Sequence, residues 1–74
     1  MKVEVRLFAT FRNGREKKQF MEYKEGVTVR EIVNKLNIKE EEVAILLING
    51  RDGMIDKELV DGDVIALFPP VGGG

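Results

Sequence analysis

The sequence predicts an α+β domain, a mixed β-sheet with one main helix packed across it, and three observations predict it. Lys2 to Phe8 alternate apolar and polar with the period of two that a half-buried strand requires. Residues 28–36 carry a capping signal followed by an apolar stripe at helical spacing. Two apolar runs, 43–48 and 64–68, are bounded by charged or turn residues and are too short for helices.

In the first strand Val3, Val5 and Leu7 share one face, and Lys2, Glu4, Arg6 and Phe8 share the other. Phe8 is therefore an aromatic side chain on an otherwise polar face. Asn13-Gly14 signals a turn within a loop longer than two residues. Lys18 to Tyr23 resumes the extended pattern, with Phe20 expected to point inward, and the two strands form a hairpin. Glu25-Gly26 ends the second strand. Thr28 stands three residues before Glu31, the capping-box spacing, so a helix begins at Val29. Val29, Ile32, Val33 and Leu36 form its core stripe, Arg30, Glu31, Asn34 and Lys35 its wet side, and Asn37 its stop.

Glu40-Glu41-Glu42 reads as a solvated loop or short turn. Val43 to Ile48 is a strand apolar on both faces, and Asn49-Gly50 supplies residues that tolerate positive φ in a tight turn. Arg51 to Val60 holds a short edge strand and a turn. Asp61-Gly62-Asp63 is a further turn, Val64 to Phe68 a last strand, and Pro69-Pro70 its end, because proline cannot donate to a sheet ladder. Two hairpin-like halves and one helix across a mixed sheet make the β-grasp, or ubiquitin-like, arrangement. Residues 1–71 form this domain and 72–74 a flexible glycine tail.

Composition narrows the chemistry. The chain has 74 residues, enough for one small core. It has no Cys, His, Trp or Ser, which removes disulfides, zinc sites of the usual Cys/His type, and the commonest nucleophiles and general bases. Hydrophobic residues are 43% and charged residues 34%, too apolar for a disordered chain and too charged for a membrane one. The longest wholly apolar run is the six residues 43–48, far short of a bilayer span. The alternating charges of Met1-Lys2-Val3-Glu4 do not resemble a secretory signal, so the expected location is the cytoplasm.

The formal net charge is −1, but residues 1–39 carry ten basic against five acidic side chains, and residues 40–74 two against eight. The basic residues are interleaved with apolar ones and aromatics are few, so a nucleic-acid surface is not expected. The asymmetry can orient a protein partner through complementary potential.

Side-chain sites are weak throughout. Asp61 and Asp63 flank Gly62 but lack the remaining ligands of a calcium loop, which leaves a tight turn. Asn13-Gly14 has no phosphate-loop pattern. The distinctive feature is the end. Gly72-Gly73-Gly74 carry no Cβ atoms, terminate in a main-chain carboxylate, and follow Pro69, Pro70 and Val71, which stiffen the base of the tail. Such a tail can thread a channel too narrow for other residues and deliver its terminus to another protein. Beside it, Phe8, Phe68 and Leu46 or Leu47 are expected to leave apolar side chains on the outer face of the sheet as a docking patch.

These features resemble the ubiquitin-like sulfur carriers, the MoaD/ThiS family, and within it the molybdopterin synthase small subunits. The likeness rests on Val3 to Ala9, the helix from Thr28, Ile48-Asn49-Gly50, Leu59 with Asp61-Gly62-Asp63 and Ile65, and Phe68 to Gly74. It spans essentially the whole chain. Gly72 departs from the alanine more usual in molybdopterin subunits, and Pro69-Pro70 departs from the thiamine-pathway branch.

The resemblance implies that a ubiquitin-activating-like adenylyltransferase adenylates the Gly74 carboxylate. A sulfur donor, such as a cysteine desulfurase or rhodanese-type protein, then makes the thiocarboxylate. Gly72 and Gly73 would thread the partner's pocket. The large subunit of molybdopterin synthase would receive the tail, which would pass sulfur to precursor Z. ATP, magnesium and catalytic side chains would lie on the partners, so this chain would bind no cofactor and would not be an enzyme alone. Alternatives are a thiamine-pathway or tRNA-thiolation carrier, a protein modifier conjugated through Gly74, and a plain binding module.

Overall fold

The computed structural model describes residues 1–70. Five strands, β1 (Lys2–Leu7), β2 (Lys18–Glu22), β3 (Ile45–Ile48), β4 (Arg51–Asp52) and β5 (Val64–Phe68), form one sheet in the order β2-β1-β5-β3-β4. The helix α1 (Val29–Lys35) follows β2, and 3₁₀ turns occupy Ala9–Arg12 and Glu40–Glu42. Element order matches the sequence reading throughout. β1 and β5 are parallel while the other three pairings are antiparallel, so the sheet is mixed.

Register sorts every side chain to a face. Val5 lies beside Ile65, Leu7 beside Leu67, Leu46 also beside Leu67, and Ile48 beside Ile65. These residues meet α1, whose Val29, Ile32 and Val33 are fully covered, and Phe11, Val27, Ile38 and Leu59 close the core. The α1 stripe is the one its spacing predicts, and the Thr28 hydroxyl accepts from the Glu31 N–H as the capping signal requires. At the other end Asn37 turns to φ 60°, and the Ile38 N–H bonds the Val33 carbonyl. Asn49 and Gly50 both take positive φ, 52° and 82°, in the two-residue turn that joins β3 to β4.

Two positions differ from expectation. Phe20 was expected inward but is 59% exposed. The β1–β2 register sets Phe20 opposite Glu4 on the outer face, leaving Gln19 and Met21 beside the core residues Val5 and Val3. Period-two alternation is equally consistent with either phase, and cross-strand register chose between them. The third strand begins at Ile45 rather than Val43. Its alternation turns Leu46 into the core, where it is 8% exposed, so Leu46 is not part of the outer patch.

Candidate functional site

The site is built where the last strand leaves the sheet. β5 occupies the centre, parallel to β1 and antiparallel to β3, so its end is held from both sides. The Phe8 N–H donates to the Leu67 carbonyl at 3.2 Å, and the Ala44 N–H donates to the Phe68 carbonyl at 2.9 Å. Pro69 and Pro70 follow without N–H donors, so the ladder stops there for a covalent reason. The chain therefore exits from a fixed point rather than from a fraying edge. Pro69 is half-buried and Pro70 exposed. Val71, Gly72, Gly73 and Gly74 lie outside the described residues.

Phe8 and Phe68 come together on the outer face although sixty residues separate them. Their rings stack with centroids 4.3 Å apart and planes at 11°. The Arg12 guanidinium sits 5.1 Å from the Phe8 centroid, and its Nε donates to the Leu7 carbonyl at 2.7 Å. The cation faces the electron-rich ring while its backbone bond fixes the geometry. Arg12 can reach this place because Ala9 takes the left-handed conformation, φ 52°, at the start of the 3₁₀ turn. Sequence reasoning missed Arg12. Its separation of four residues from Phe8 becomes a signal only once the loop is known to coil.

The outer face continues from Phe68 into β3. Ile45 lies opposite Phe68 and Leu47 opposite Ala66, so the patch comprises Phe8, Phe68, Ile45, Leu47 and Ala66. Phe68 and Leu47 occupy the expected face, and Ile45, 45% exposed, was not anticipated. Polar groups flank the apolar centre. Arg6 pairs with Glu4 on the same face, and Lys18 stands opposite Arg6.

The other chemistry-bearing groups lie apart. Asp63 is buried, with Oδ1 accepting from the Asn49 side-chain amide and Oδ2 from the Val60 N–H, each at 2.9 Å. The Asn49 carbonyl oxygen accepts from the Val64 N–H at 2.9 Å. Asp61 accepts from the Lys2 N–H at 2.7 Å. Both aspartates therefore hold turns, as their spacing around Gly62 implies. Burial pushes the Tyr23 hydroxyl above its ordinary value of 10, and the Glu31 carboxylate adds to the shift. Among the described residues no three His, Cys, Asp or Glu side chains converge as a metal site would require. No helix among them is long and apolar enough to cross a membrane. A depression of about 520 Å³ at Asn34, Asn37 and Glu41 is lined by neither Phe8 nor Phe68.

A mixed five-strand sheet crossed by one helix, with its last strand leaving from the centre, defines a ubiquitin-like β-grasp protein. The ThiS family matches residues 5–74, and the chain belongs to that family, the MoaD/ThiS sulfur carriers. Among solved structures it is similar to a putative molybdopterin converting factor subunit 1 from Pyrococcus furiosus, at 33% identity and a TM-score of 0.75. That match covers 96% of this chain and 99% of the other. It is also similar to a chain in the complex of subunits 1 and 2 of molybdopterin-converting factor from Helicobacter pylori. Identity there is 32% and the TM-score 0.62, with all of both chains covered. Small archaeal modifier protein 1 of H. volcanii shares the fold at 22% identity and a TM-score of 0.76, covering 95% of this chain and 98% of that one.

Proposed function

We propose that the chain carries sulfur on the Gly74 carboxylate, and that the Phe8–Phe68 face docks it on the enzymes that load and unload that group. The observation that carries the reading is the position of the glycine run, joined through Pro69, Pro70 and Val71 to a central strand whose end is fixed beside a half-buried aromatic stack. A carboxylate is a poor electrophile, so it must be activated first. Adenylation by a ubiquitin-activating-like partner forms a mixed anhydride and releases pyrophosphate. The terminal sulfur of a persulfide on a donor of the cysteine desulfurase or rhodanese type then attacks the carbonyl carbon, and AMP leaves. A second thiol cleaves the resulting acyl disulfide, forming a disulfide with the donor cysteine and releasing the thiocarboxylate.

Glycine residues suit this task because a tail without Cβ atoms can lie extended in a narrow pocket, held through its backbone. ATP, magnesium and the catalytic side chains belong to the partners, and this chain is a carrier rather than an enzyme. Its likeness to a subunit seen complexed with subunit 2 of molybdopterin-converting factor supports a large synthase subunit as acceptor. Precursor Z is then the substrate that receives the sulfur.

Deleting Gly73 and Gly74 tests the reading. Pyrophosphate exchange with the activating enzyme should vanish while the far-ultraviolet circular dichroism and melting temperature stay unchanged. Adenylation that survives the deletion would overturn it. Intact mass separates carrier from modifier: a thiocarboxylate replaces one oxygen by sulfur, whereas an isopeptide to a target lysine adds a whole protein.

A further inference from the structure

β2 is an edge strand, and its pairing with β1 leaves one set of backbone groups free. The Leu7 N–H bonds the Lys17 carbonyl at 2.8 Å, and the Tyr23 N–H bonds the Met1 carbonyl at 2.9 Å. Odd-numbered residues therefore face β1. By alternation the N–H and C=O groups of Lys18, Phe20 and Glu22 point away from the sheet. Edge charges normally discourage pairing with another strand. Here the charges lie symmetrically about Phe20, which is the most exposed aromatic side chain of the described residues.

We infer that the free edge of β2 is a self-complementary seam for a second copy of this chain, paired antiparallel about Phe20. In that register Phe20 meets Phe20, Lys18 meets Glu22 and Glu22 meets Lys18. All three residues present outward backbone groups, so each pair is a hydrogen-bonded one, giving about six bonds across the seam. Just beyond the strand ends, Glu16 faces Lys24 in the same register. Opposite charges and aromatic pairs directly across strands stabilise, and like charges destabilise.

The alternative registers fail on charge. A slip by one residue sets outward backbone groups against inward ones. A slip by two places either Glu16 opposite Glu22 or Lys18 opposite Lys24. Charge thus selects one register as well as permitting pairing.

The contact is isologous and closes on itself. The opposite edge, β4, is only two residues long, too short to continue a fibre. The product is a dimer with one continuous sheet. β1 separates the seam from β5, so Phe68 and the tail base remain outside it. Glu22 sits 4.0 Å from the covered amino terminus, which also donates to the Tyr23 carbonyl, while the Glu22 side chain itself is exposed and within reach of Lys18 of a second copy. The inference does not depend on the proposed function.

Sedimentation equilibrium of the full chain from about 10 µM to about 1 mM tests it, a range suited to a small, weak interface. The average mass should rise from 8.4 kDa toward the dimer value. Lys18→Glu alone and Glu22→Lys alone each create like-charge pairs at two symmetry-related positions and should weaken association about tenfold or more. The double variant exchanges the charges and should restore it. Circular dichroism checks that the variants stay folded, since both side chains are exposed. Amide exchange at Lys18, Phe20 and Glu22 should slow as concentration rises. A monomer across the whole range, a double variant as weak as the singles, or association without protection of those three amides would each overturn the proposal.

Discussion

Asp63 shows how much one side chain can decide in so small a core. Its two carboxylate oxygens tie the β3–β4 turn, through Asn49, to the turn that launches β5. Replacing it with alanine strands the Asn49 amide and the Val60 N–H. We expect Asp63→Ala to lower stability by about 1–3 kcal/mol, read by urea denaturation, because two part-buried donors would lose a charged acceptor. Tyr23 makes the opposite point. Its hydroxyl is covered and has no hydrogen-bond partner. With its pKa raised, the folded state keeps the proton after the unfolded chain has released it. The contribution is complete below about pH 10 and is lost as pH rises through the folded value. Tyr23→Phe should therefore flatten the alkaline fall in stability, measured as melting temperature against pH, without cost near neutrality.

At the scale of elements, α1 is short and depends on its ends. Seven residues propagate too few hydrogen bonds to be stable alone. The Thr28 cap secures the start. The far end is secured by Arg15, whose Nε donates to the Leu36 carbonyl at 3.0 Å and whose Nη2 donates to the Asn37 carbonyl at 3.3 Å. Its Nη1 also reaches the Phe11 carbonyl at 3.2 Å, binding the loop after β1 to the helix. Arg15→Ala should cost about 1–3 kcal/mol. Arg15→Lys should recover only part of it, because an ammonium cannot span three separated carbonyls as a planar fork does. Chemical denaturation of both variants checks the difference. The cap at Thr28 and the stop at Asn37 were legible as local sequence patterns. Arg15 was not, because its acceptors at the helix end, Leu36 and Asn37, lie more than twenty residues away.

At the scale of the whole molecule, the sheet has two faces with different duties. The inner face and α1 hold the fold together. The outer face presents a half-buried aromatic stack with Ile45 and Leu47 beside the exit of the chain. Phe8→Ala separates these duties. It should weaken binding to an activating or large-subunit partner by about tenfold or more, measured by titration calorimetry, since a central aromatic anchor is lost. It should lower the melting temperature only modestly, because Phe8 is half-buried outside the inner core.

Sequence alone determined the number and order of the elements, the helix and its limits, the inward face of β1, and the glycine tail. All of these follow from periods, caps and residue types set by neighbours in the chain. Only the tertiary structure decided that Phe20 and Ile45 face outward, that Leu46 faces inward, and that Phe8, Phe68 and Arg12 form one cluster. Strand register and loop coiling join residues far apart in sequence, and a shift of one residue reverses a strand's faces without changing its pattern.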